Sequence, residues 1–228
     1  MMTTVKVYVP CDTTALSLGA DAVAEQLLVA AASEGVTLEL VRNGSRGLCW
    51  LEPLVEVETP QGRVAFGPVS PEEVGSLVAA GLFSGQQTHP LALGDIEQLP
   101  YLKQQQRLTF SRIGKTDPLS LEDYRRLDGW RGLEHALKQT PQAIVDEVKQ
   151  SGLRGRGGAA FPTGIKWQTV LDTPAEQKFI VCNADEGDSG TFADRLVMEC
   201  DPYMLIEGMI IAGLAVGADQ GYIYLRSE

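Results

Sequence analysis

The chain has 228 residues, 44% of them hydrophobic, and its mean hydropathy is close to zero. This composition is typical of a globular protein with a substantial core. The 19 basic and 30 acidic residues give a net charge of -11, which argues against nucleic acid and anionic membranes as partners, because both require clustered cations.

The first part of the chain predicts a small α/β unit. Strands are predicted over VKVYV, TLELVR and LVEVET, with a helix over GADAVAEQLLVAAASEG and another from SPEEVGSLVAAGLF. The segment TPQG after the third strand favours a hairpin. This order is typical of a thioredoxin-like domain, which we assign to residues 1–88, although other small α/β folds share the pattern.

Residues 89–139 are rich in Gln, Arg, Asp and Pro, and they predict a connector that carries short helices. A second domain is predicted over 140–228. It opens with the helix TPQAIVDEVKQSGL, in which Thr140 suits the N-cap and Pro141 the first helical position. A short helix (TGIKWQTVL), a buried strand (KFIVCNAD), a loop (EGDSGTFADR), a helix from Pro202 to about Val216 and a strand (GYIYLR) follow. This order indicates an α/β layered domain, and because it stops on a strand we expect it to be incomplete.

The cysteines and the apolar segments favour a cytoplasmic protein. No C-x-x-C spacing relates the four cysteines, so neither a disulfide framework nor a complete metal site is predicted. The start of the chain has no signal-peptide pattern. The longest apolar run, MLIEGMIIAGLAVGA, is interrupted by Glu207 and is too short to span a bilayer.

A glycine-rich loop, SGLRGRGGAAFP, separates the first two helices of the second domain. Gly155, Gly157 and Ala160 match a variant of the dinucleotide fingerprint, but that motif follows a strand and here a helix precedes it, so an ordinary Rossmann motif is excluded. Backbone N–H groups without side chains can still approach a phosphate, which the next helix N-terminus would favour. Cationic donors are close in sequence: Arg154, Arg156 and Lys166. A plain surface turn and an arginine–glycine nucleic-acid segment are the alternatives.

Aromatic residues flank this loop. Phe161 and Trp167 could anchor the core or stack on a planar ring, and taken singly each favours the core.

The loop after the predicted strand KFIVCNAD is acidic. Asn183, Asp185, Glu186 and Asp188 follow the carboxyl end of this strand, where open α/β sheets bind ligands. Carboxylates there can accept hydrogen bonds from ribityl or ribose hydroxyls. A calcium loop is excluded, because position 6 is Asp188 instead of glycine and position 12 is Asp194 instead of glutamate. A solvated acidic turn is the alternative. The glycine-rich loop and this acidic loop together suit a mononucleotide such as FMN.

Four segments closely resemble the flavin-bearing, NADH-oxidising subunit of respiratory complex I and its soluble relatives: SGLRGRGGAAFPTGIKW, CNADEGDSGTFADR, LIEGMIIAGLAVGA and YIYLR. The resemblance covers roughly residues 140–228 and implies an FMN-binding, Rossmann-like α/β domain. It implies FMN contacts from Gly155, Arg156, Gly157, Gly158, Lys166, Asn183, Asp185 and Glu186. It implies NADH contacts from Phe161, Lys166 and Asp188.

The resemblance also implies what this chain does not supply. No side chain is expected to act as a catalyst, because the flavin and the nicotinamide exchange the hydride between them. No metal ligand is expected within the chain, and a [4Fe–4S] cluster is expected in a later part of family members. Asp188-Ser189 stands where complex I relatives commonly have Glu-Pro, which shortens the acceptor.

The front part resembles the end of a thioredoxin-like ferredoxin domain over RNGSRGLCWLEPLVEVETPQG, with a cluster C-x-x-x-C pair falling at Ser45 and Cys49. At most Cys11 and Cys49 remain, too few for a four-cysteine cluster, so a degenerate [2Fe–2S] domain that serves in docking is expected. This domain fused ahead of the flavin module is most similar to the beta subunit of soluble, molybdenum- or tungsten-dependent NAD-linked formate dehydrogenases.

That resemblance implies a cytoplasmic diaphorase subunit that passes electrons from formate oxidation through iron–sulfur clusters to FMN and on to NAD. The implied partners are a molybdopterin-containing alpha subunit and a small [2Fe–2S] gamma subunit. The diaphorase of a NAD-linked hydrogenase, or of a complex I-like NADH dehydrogenase, is the nearest alternative. A non-catalytic docking module is the second.

Overall fold

The computed structural model describes residues 4–226, and the chain divides into two compact units. Unit 1 comprises Met1–Asp123 and Leu196–Asp201, and unit 2 comprises Tyr124–Arg195 and Pro202–Glu228.

A five-stranded mixed sheet forms the centre of unit 1. Its strands are β1 (Thr4–Tyr8), β2 (Thr37–Val41), β3 (Val55–Thr59), β4 (Gly62–Phe66) and β5 (Ala92–Asp95). They lie in the order β2-β1-β3-β4-β5, with β1 and β2 parallel and the remaining pairs antiparallel. The predicted hairpin at TPQG is confirmed, and the Thr59 hydroxyl donates to the Gly62 carbonyl at 2.7 Å.

The helices of unit 1 in chain order are α1 (Thr13–Ser17), α2 (Ala20–Ser33), α3 (Val74–Ala79) and α4 (Pro100–Lys103). The helix α2 buries Ala20, Val23, Ala24, Leu27 and Ala31, the spacing of one helical face. These side chains pack on Val7, Val55 and Val57 of the sheet. A parallel β1-α2-β2 unit, an antiparallel hairpin and a final helix α3 make the thioredoxin-like arrangement, as predicted.

Two pieces of unit 1 were not predicted. The edge strand β5 lies within the segment interpreted as a connector and pairs with β4 around a bulge at Ala65/Phe66. The segment Leu196–Asp201 also belongs to this unit, although sequence order places it in the second domain. Unit 1 therefore contains a third cysteine, Cys200, which the sequence analysis did not assign to it.

Unit 2 is an α/β layer. The division between the units falls within α5 (Leu121–Arg126) and again within α9 (Ala193–Cys200), whose start up to Arg195 belongs to unit 2. The other elements of unit 2 are α6 (Arg131–Ala136), α7 (Pro141–Ser151), α8 (Thr163–Asp172), β6 (Phe179–Ala184), α10 (Pro202–Val216) and β7 (Gln220–Leu225). The strands β6 and β7 are parallel, in register from Phe179↔Gln220 to Ala184↔Leu225. Its core contains Ile144, Val145, Ala215 and Val216, with Trp167 and Ile180 packed against it. The predicted helices α7, α8 and α10 and both strands are confirmed.

The expectation of a buried β6 is wrong for the described residues. Exposed and half-buried positions alternate along β6 up to Asn183, with only Ala184 buried, and Val181 is 63% exposed. On the same face, Tyr222 and Tyr224 of β7 are also exposed, because no described element covers them.

Glu207, which the sequence analysis noted only as a break in an apolar run, caps a helix in unit 2. Its carboxylate accepts the N–H groups of Trp130 and Leu133, each at 2.9 Å, at the start of α6. The Tyr124 hydroxyl donates to the same carboxylate. Trp130 is the N-cap residue of α6, but its side chain makes no capping hydrogen bond and its φ of 68° is left-handed. The Glu207 side chain of α10 therefore takes the place of a local cap.

Candidate functional site

The glycine loop is a closed turn between α7 and α8. Helix α7 begins as predicted, with the Thr140 hydroxyl accepting the Ala143 N–H, and it ends at Gly152, whose φ of 69° stops the helix. The Gly155 N–H donates to the Phe161 carbonyl and the Thr163 N–H to the Leu153 carbonyl, both at 2.9 Å. These bonds fix the two ends of the loop, so residues 156–160 form its tip.

The tip of the loop leaves room for a ligand beside its backbone. A side chain added at Gly157 or Gly158 would meet no other atom within 4 Å. Gly158 has a φ of 93°, a conformation that L-residues rarely adopt. The helix α8 begins directly after the loop, and Pro162 at its N-cap supplies no side-chain acceptor to its first N–H groups. The loop therefore leads into a helix N-terminus whose field favours an anion.

The cationic side chains predicted for this loop are available. Arg154, Arg156 and Lys166 are exposed, and within residues 4–226 none of the three forms an ion pair. Phe161 is 49% exposed, as a stacking surface requires, whereas Trp167 packs against the core of unit 2.

The acidic loop begins where β6 ends. The Asn183 side chain accepts the Asp185 N–H at 3.1 Å, which turns the chain away from the strand. The Asp188 carbonyl accepts the Thr191 N–H at 3.1 Å, so a second turn follows. Asn183 and Asp188 are exposed and Asp185 is half-buried, which leaves oxygen atoms of all three side chains within reach of solvent or a ligand.

Glu186 makes contacts that the sequence analysis did not anticipate. Its two carboxylate oxygens accept the N–H groups of Asp194 and Arg195, at 2.8 and 2.9 Å, and so cap the start of α9. Its backbone has a left-handed φ of 42°. Burial and the nearby Glu186 charge raise the pKa of Asp194. Glu186 thus fixes the shape of the acidic loop through α9.

The two loops lie toward the same edge of unit 2. Trp167 and Leu171 of α8 and Ile180 of β6 share one core cluster, and six residues connect the helix to the strand. A helix that returns directly onto the following strand runs antiparallel to it, so the loop before α8 and the loop after β6 share an edge. The strand β7 ends at this edge too, where Arg226 donates to the Gly187 carbonyl at 3.2 Å. Sequence reasoning missed Arg226, and the only signal for it was its position directly after the predicted strand GYIYLR.

The front loop that resembles a cluster-binding loop is filled by protein side chains. Ser45 is fully buried, donates to Glu52 Oε1 at 2.7 Å and accepts the Gly47 N–H at 3.0 Å. The Glu52 carboxylate also accepts the Leu54 N–H at 2.9 Å, and burial raises its pKa to about 7. Cys49 is exposed.

A buried ion-pair network continues from this loop. Arg46 forms two hydrogen bonds with Glu56, at 2.6 and 2.9 Å, and a third with Glu97 at 2.8 Å. On the other side of the loop, the Cys200 side chain lies against Gly44, where an added Cβ would fall 2.4 Å from Cys200 Cβ. Across residues 4–226, no group of three His, Cys, Asp or Glu side chains is arranged to hold a metal ion.

Comparison with known proteins identifies a family match in the second part of the chain. Residues 148–228 match the family model of the Nuo51 FMN-binding domain. This part of the chain resembles the FMN-binding subunits of complex I. The HndC subunit of the NADP-reducing hydrogenase of Solidesulfovibrio fructosivorans is 52% identical over 126 residues, 55% of this chain and 26% of the relative. A NADH-quinone oxidoreductase subunit of Aquifex aeolicus is 47% identical over 121 residues, 53% of this chain and 28% of the relative.

The chain therefore spans about a quarter of the length of these curated relatives. Among solved structures, the air-oxidized NAD+-reducing [NiFe]-hydrogenase matches 99% of this chain and 38% of its own, at 22% identity and a TM-score of 0.42. The thioredoxin-like [2Fe-2S] ferredoxin from Aquifex aeolicus matches 40% of this chain and 98% of its own, at 21% identity and a TM-score of 0.35. None of the helices between residues 4 and 226 has the length and apolar character needed to cross a membrane.

Proposed function

We propose that this chain carries the FMN-binding loops of a diaphorase, a subunit that exchanges a hydride with NADH and single electrons with iron–sulfur clusters. The observation that carries the proposal is the open glycine loop, with three cations free of ion pairs among the described residues, leading into an uncapped helix N-terminus. Its match to an FMN-binding family supports the choice of mononucleotide.

The residues of the two loops fit the chemical groups of FMN. A phosphate needs N–H donors and cations, which the tip at Gly157 and Gly158, the start of α8 and the side chains of Arg156 and Lys166 would supply. The ribityl hydroxyls need acceptors, which the exposed Asn183 and the half-buried Asp185 would supply.

In this proposal Glu186 is a positioning residue in addition to the FMN contact that the resemblance implies. Because both its oxygens already accept N–H groups of α9, it would act mainly by holding the acidic loop in shape for its neighbours. Gly155 would contribute through the hydrogen bond that closes the glycine loop.

NADH would bind above the same loop. The exposed ring of Phe161 is available for stacking, and Lys166 and Asp188 are available for the nucleotide's phosphates and hydroxyls. Bound FMN would supply the redox chemistry, which exchanges a hydride with the nicotinamide and single electrons with iron–sulfur clusters. The side chains of this chain would bind and orient FMN and NADH and would exclude water from them, and none would act as an acid or base.

For the whole protein we propose the beta subunit of a NAD-linked formate dehydrogenase, with a molybdopterin-containing alpha subunit and a small [2Fe–2S] gamma subunit as partners. The thioredoxin-like unit whose loop is filled by Ser45, Arg46 and Glu52 supports this, because it suits the clusterless docking domain of that resemblance. A second candidate is the diaphorase of a hydrogenase, and the 52% identity to part of a NADP-reducing hydrogenase favours it. Formate-dependent NAD reduction with molybdenum or tungsten in the purified assembly supports the first, and hydrogen-dependent reduction with nickel the second.

The cofactor assignment is tested by reversing one charge. In the full-length protein, Arg156→Glu should weaken FMN binding about 10- to 100-fold, because a charge-assisted hydrogen bond is worth about 1.5–3 kcal/mol. Riboflavin, which lacks the phosphate, should bind the parent protein and the Arg156→Glu variant with equal affinity. Arg125→Glu, a change of another exposed arginine, is the matched control. Equal FMN affinity in all three proteins, measured by flavin fluorescence quenching, would contradict the assignment.

A further inference from the structure

Three polar side chains of unit 2 converge between α6 and α7. His135 lies on α6, Gln139 on the turn that follows it, and Glu147 on α7. His135 Nε2 and Glu147 Oε2 are 3.0 Å apart, and Gln139 Nε2 lies 2.5 Å from the first atom and 2.8 Å from the second. The three side-chain groups therefore form a small triangle, here termed the His-Gln-Glu triangle.

Hydrogen bonds alone do not satisfy this triangle. If His135 Nε2 carries a proton, it can donate to Glu147, but its N–H group then faces the Gln139 NH₂ group at 2.5 Å. If Nε2 carries a lone pair, Gln139 can donate to it, but that lone pair then faces the carboxylate oxygen at 3.0 Å. With the amide reversed, the Gln139 oxygen would take the place of the nitrogen, 2.8 Å from the carboxylate oxygen. Each arrangement leaves one pair of like groups in contact.

A metal ion beside the triangle removes this conflict. The imidazole nitrogen, the amide oxygen and the carboxylate oxygen can each turn a lone pair toward the same ion. Bonds of about 2.0–2.2 Å that meet at right angles place neighbouring donor atoms about 2.8–3.1 Å apart. The edges of 2.8 and 3.0 Å already have this length, and the edge of 2.5 Å would open slightly. A tetrahedral ion with the same bonds would need longer edges, about 3.3 Å.

The triangle is built on packed helices and borders an open space. Ala136 of α6 and Ile144 of α7 are buried in one core cluster, which holds the two helices together. The three triangle residues line a cavity of about 230 Å³, which leaves room for water molecules to complete a coordination shell. The His135 side chain is 61% exposed, so an ion can reach it from solvent.

We propose that His135, Gln139 and Glu147 bind one divalent transition-metal ion of the nickel or copper type, which suits nitrogen and oxygen donors at right angles. The bound ion would fasten α6 to α7, the helix that leads into the glycine loop. Magnesium and calcium fit less well, because both take oxygen donors and the imidazole supplies nitrogen. The proposal does not depend on FMN binding.

The test titrates the full-length protein with Ni²⁺ in a calorimeter, after EDTA has removed loosely bound metal. The parent should bind one Ni²⁺ more per chain than His135→Ala, and Glu147→Gln should weaken binding of that ion at least tenfold. Gln139→Glu should tighten it at least tenfold, because a charged carboxylate is a stronger metal ligand than an amide. Ni²⁺ should also slow hydrogen exchange in residues 131–151 of the parent and leave the exchange of His135→Ala unchanged.

Glu134→Gln and Gln150→Ala are the matched controls, because both change exposed side chains of the same two helices and should leave Ni²⁺ binding unchanged. Equal circular dichroism of the parent and the variants without metal separates lost binding from lost folding. The proposal is overturned if the parent binds no more Ni²⁺ than His135→Ala, or if the controls lose as much affinity as the triangle variants. Binding that disappears only with Cys49→Ser would place the ion at that exposed thiol and would also overturn the proposal.

Discussion

Gly164 is the glycine whose replacement tests the packing of unit 2 most directly. A Cβ at this position would lie 2.7 Å from both the Cα and the backbone nitrogen of Lys149, where α7 crosses α8. Ordinary contact begins at 3.4 Å, so the helices must separate by about 0.7 Å. Such overpacking costs about 1–3 kcal/mol, and the cost lies at the upper end because the atoms in the way belong to the backbone, which cannot move aside as a side chain can. Alanine offsets part of this cost, since it gains at most about 1 kcal/mol in helix propensity over glycine. Gly164→Ala should therefore lower the free energy of unfolding by about 2 kcal/mol.

Urea unfolding followed by tryptophan fluorescence measures this effect. In a Trp50→Phe background the two remaining tryptophans, Trp130 and Trp167, both belong to unit 2. Gly208→Ala is the matched control, because Gly208 lies within α10 with no atom within 4 Å of an added Cβ, and this variant should gain stability. A Gly164→Ala protein as stable as the parent would refute the close packing of α7 on α8.

Three further changes probe buried polar and steric contacts. Gly44→Ala should destabilise unit 1 by about 2 kcal/mol or more, because its Cβ would overlap the Cys200 side chain, and hydrogen exchange would localise the loss. Glu207→Gln should cost about 1–3 kcal/mol in thermal unfolding, because an amide NH₂ cannot accept the N–H and O–H donors that surround the carboxylate. Glu52 has a folded-state pKa raised by burial to about 7, so stability should fall as the pH rises from about 4.5 to 7, and Glu52→Gln should flatten that fall.

Each of these changes has a matched control. Gly75→Ala adds a methyl group in open space within α3, so it should leave unit 1 at least as stable as the parent. Glu134→Gln and Glu25→Gln change exposed carboxylates and should leave the thermal midpoint and its pH dependence unaltered. If a buried substitution behaves like its control, the contact assigned to that residue makes no contribution to stability.

The regular elements of both units could be predicted because their signals are local. Thr140 and Pro141 mark the start of α7, and the alternation of VKVYV and VEVET marks β1 and β3. The strand β5 could not be predicted in the same way. It contains Gly94 at a φ of 84° and exists only because β4 offers it a partner, which is a tertiary effect.

The helix α9 shows the same limit. Its first N–H groups are capped by Glu186, seven residues before the helix begins, and this contact depends on the folded shape of the acidic loop. Only part of the structural role of Ser45 could be predicted from the sequence. Its lack of a thiol was evident, but its burial against Glu52 depends on the folded loop.

The candidate site was accessible from sequence to the extent that it depends on residue type. The glycines at 157 and 158 and the cationic residues Arg156 and Lys166 are properties of the residues and of their order. The contact of Arg226 with Gly187 depends on the parallel pairing of β6 with β7, which sequence order does not specify.

The most direct test of the diaphorase function is anaerobic NADH titration of the full-length protein isolated from its source. The proposal predicts one FMN released per chain on denaturation and a visible flavin band that NADH bleaches in the native protein. A colourless protein that releases no flavin and does not oxidise NADH would contradict it, and the glycine loop would then be a structural turn.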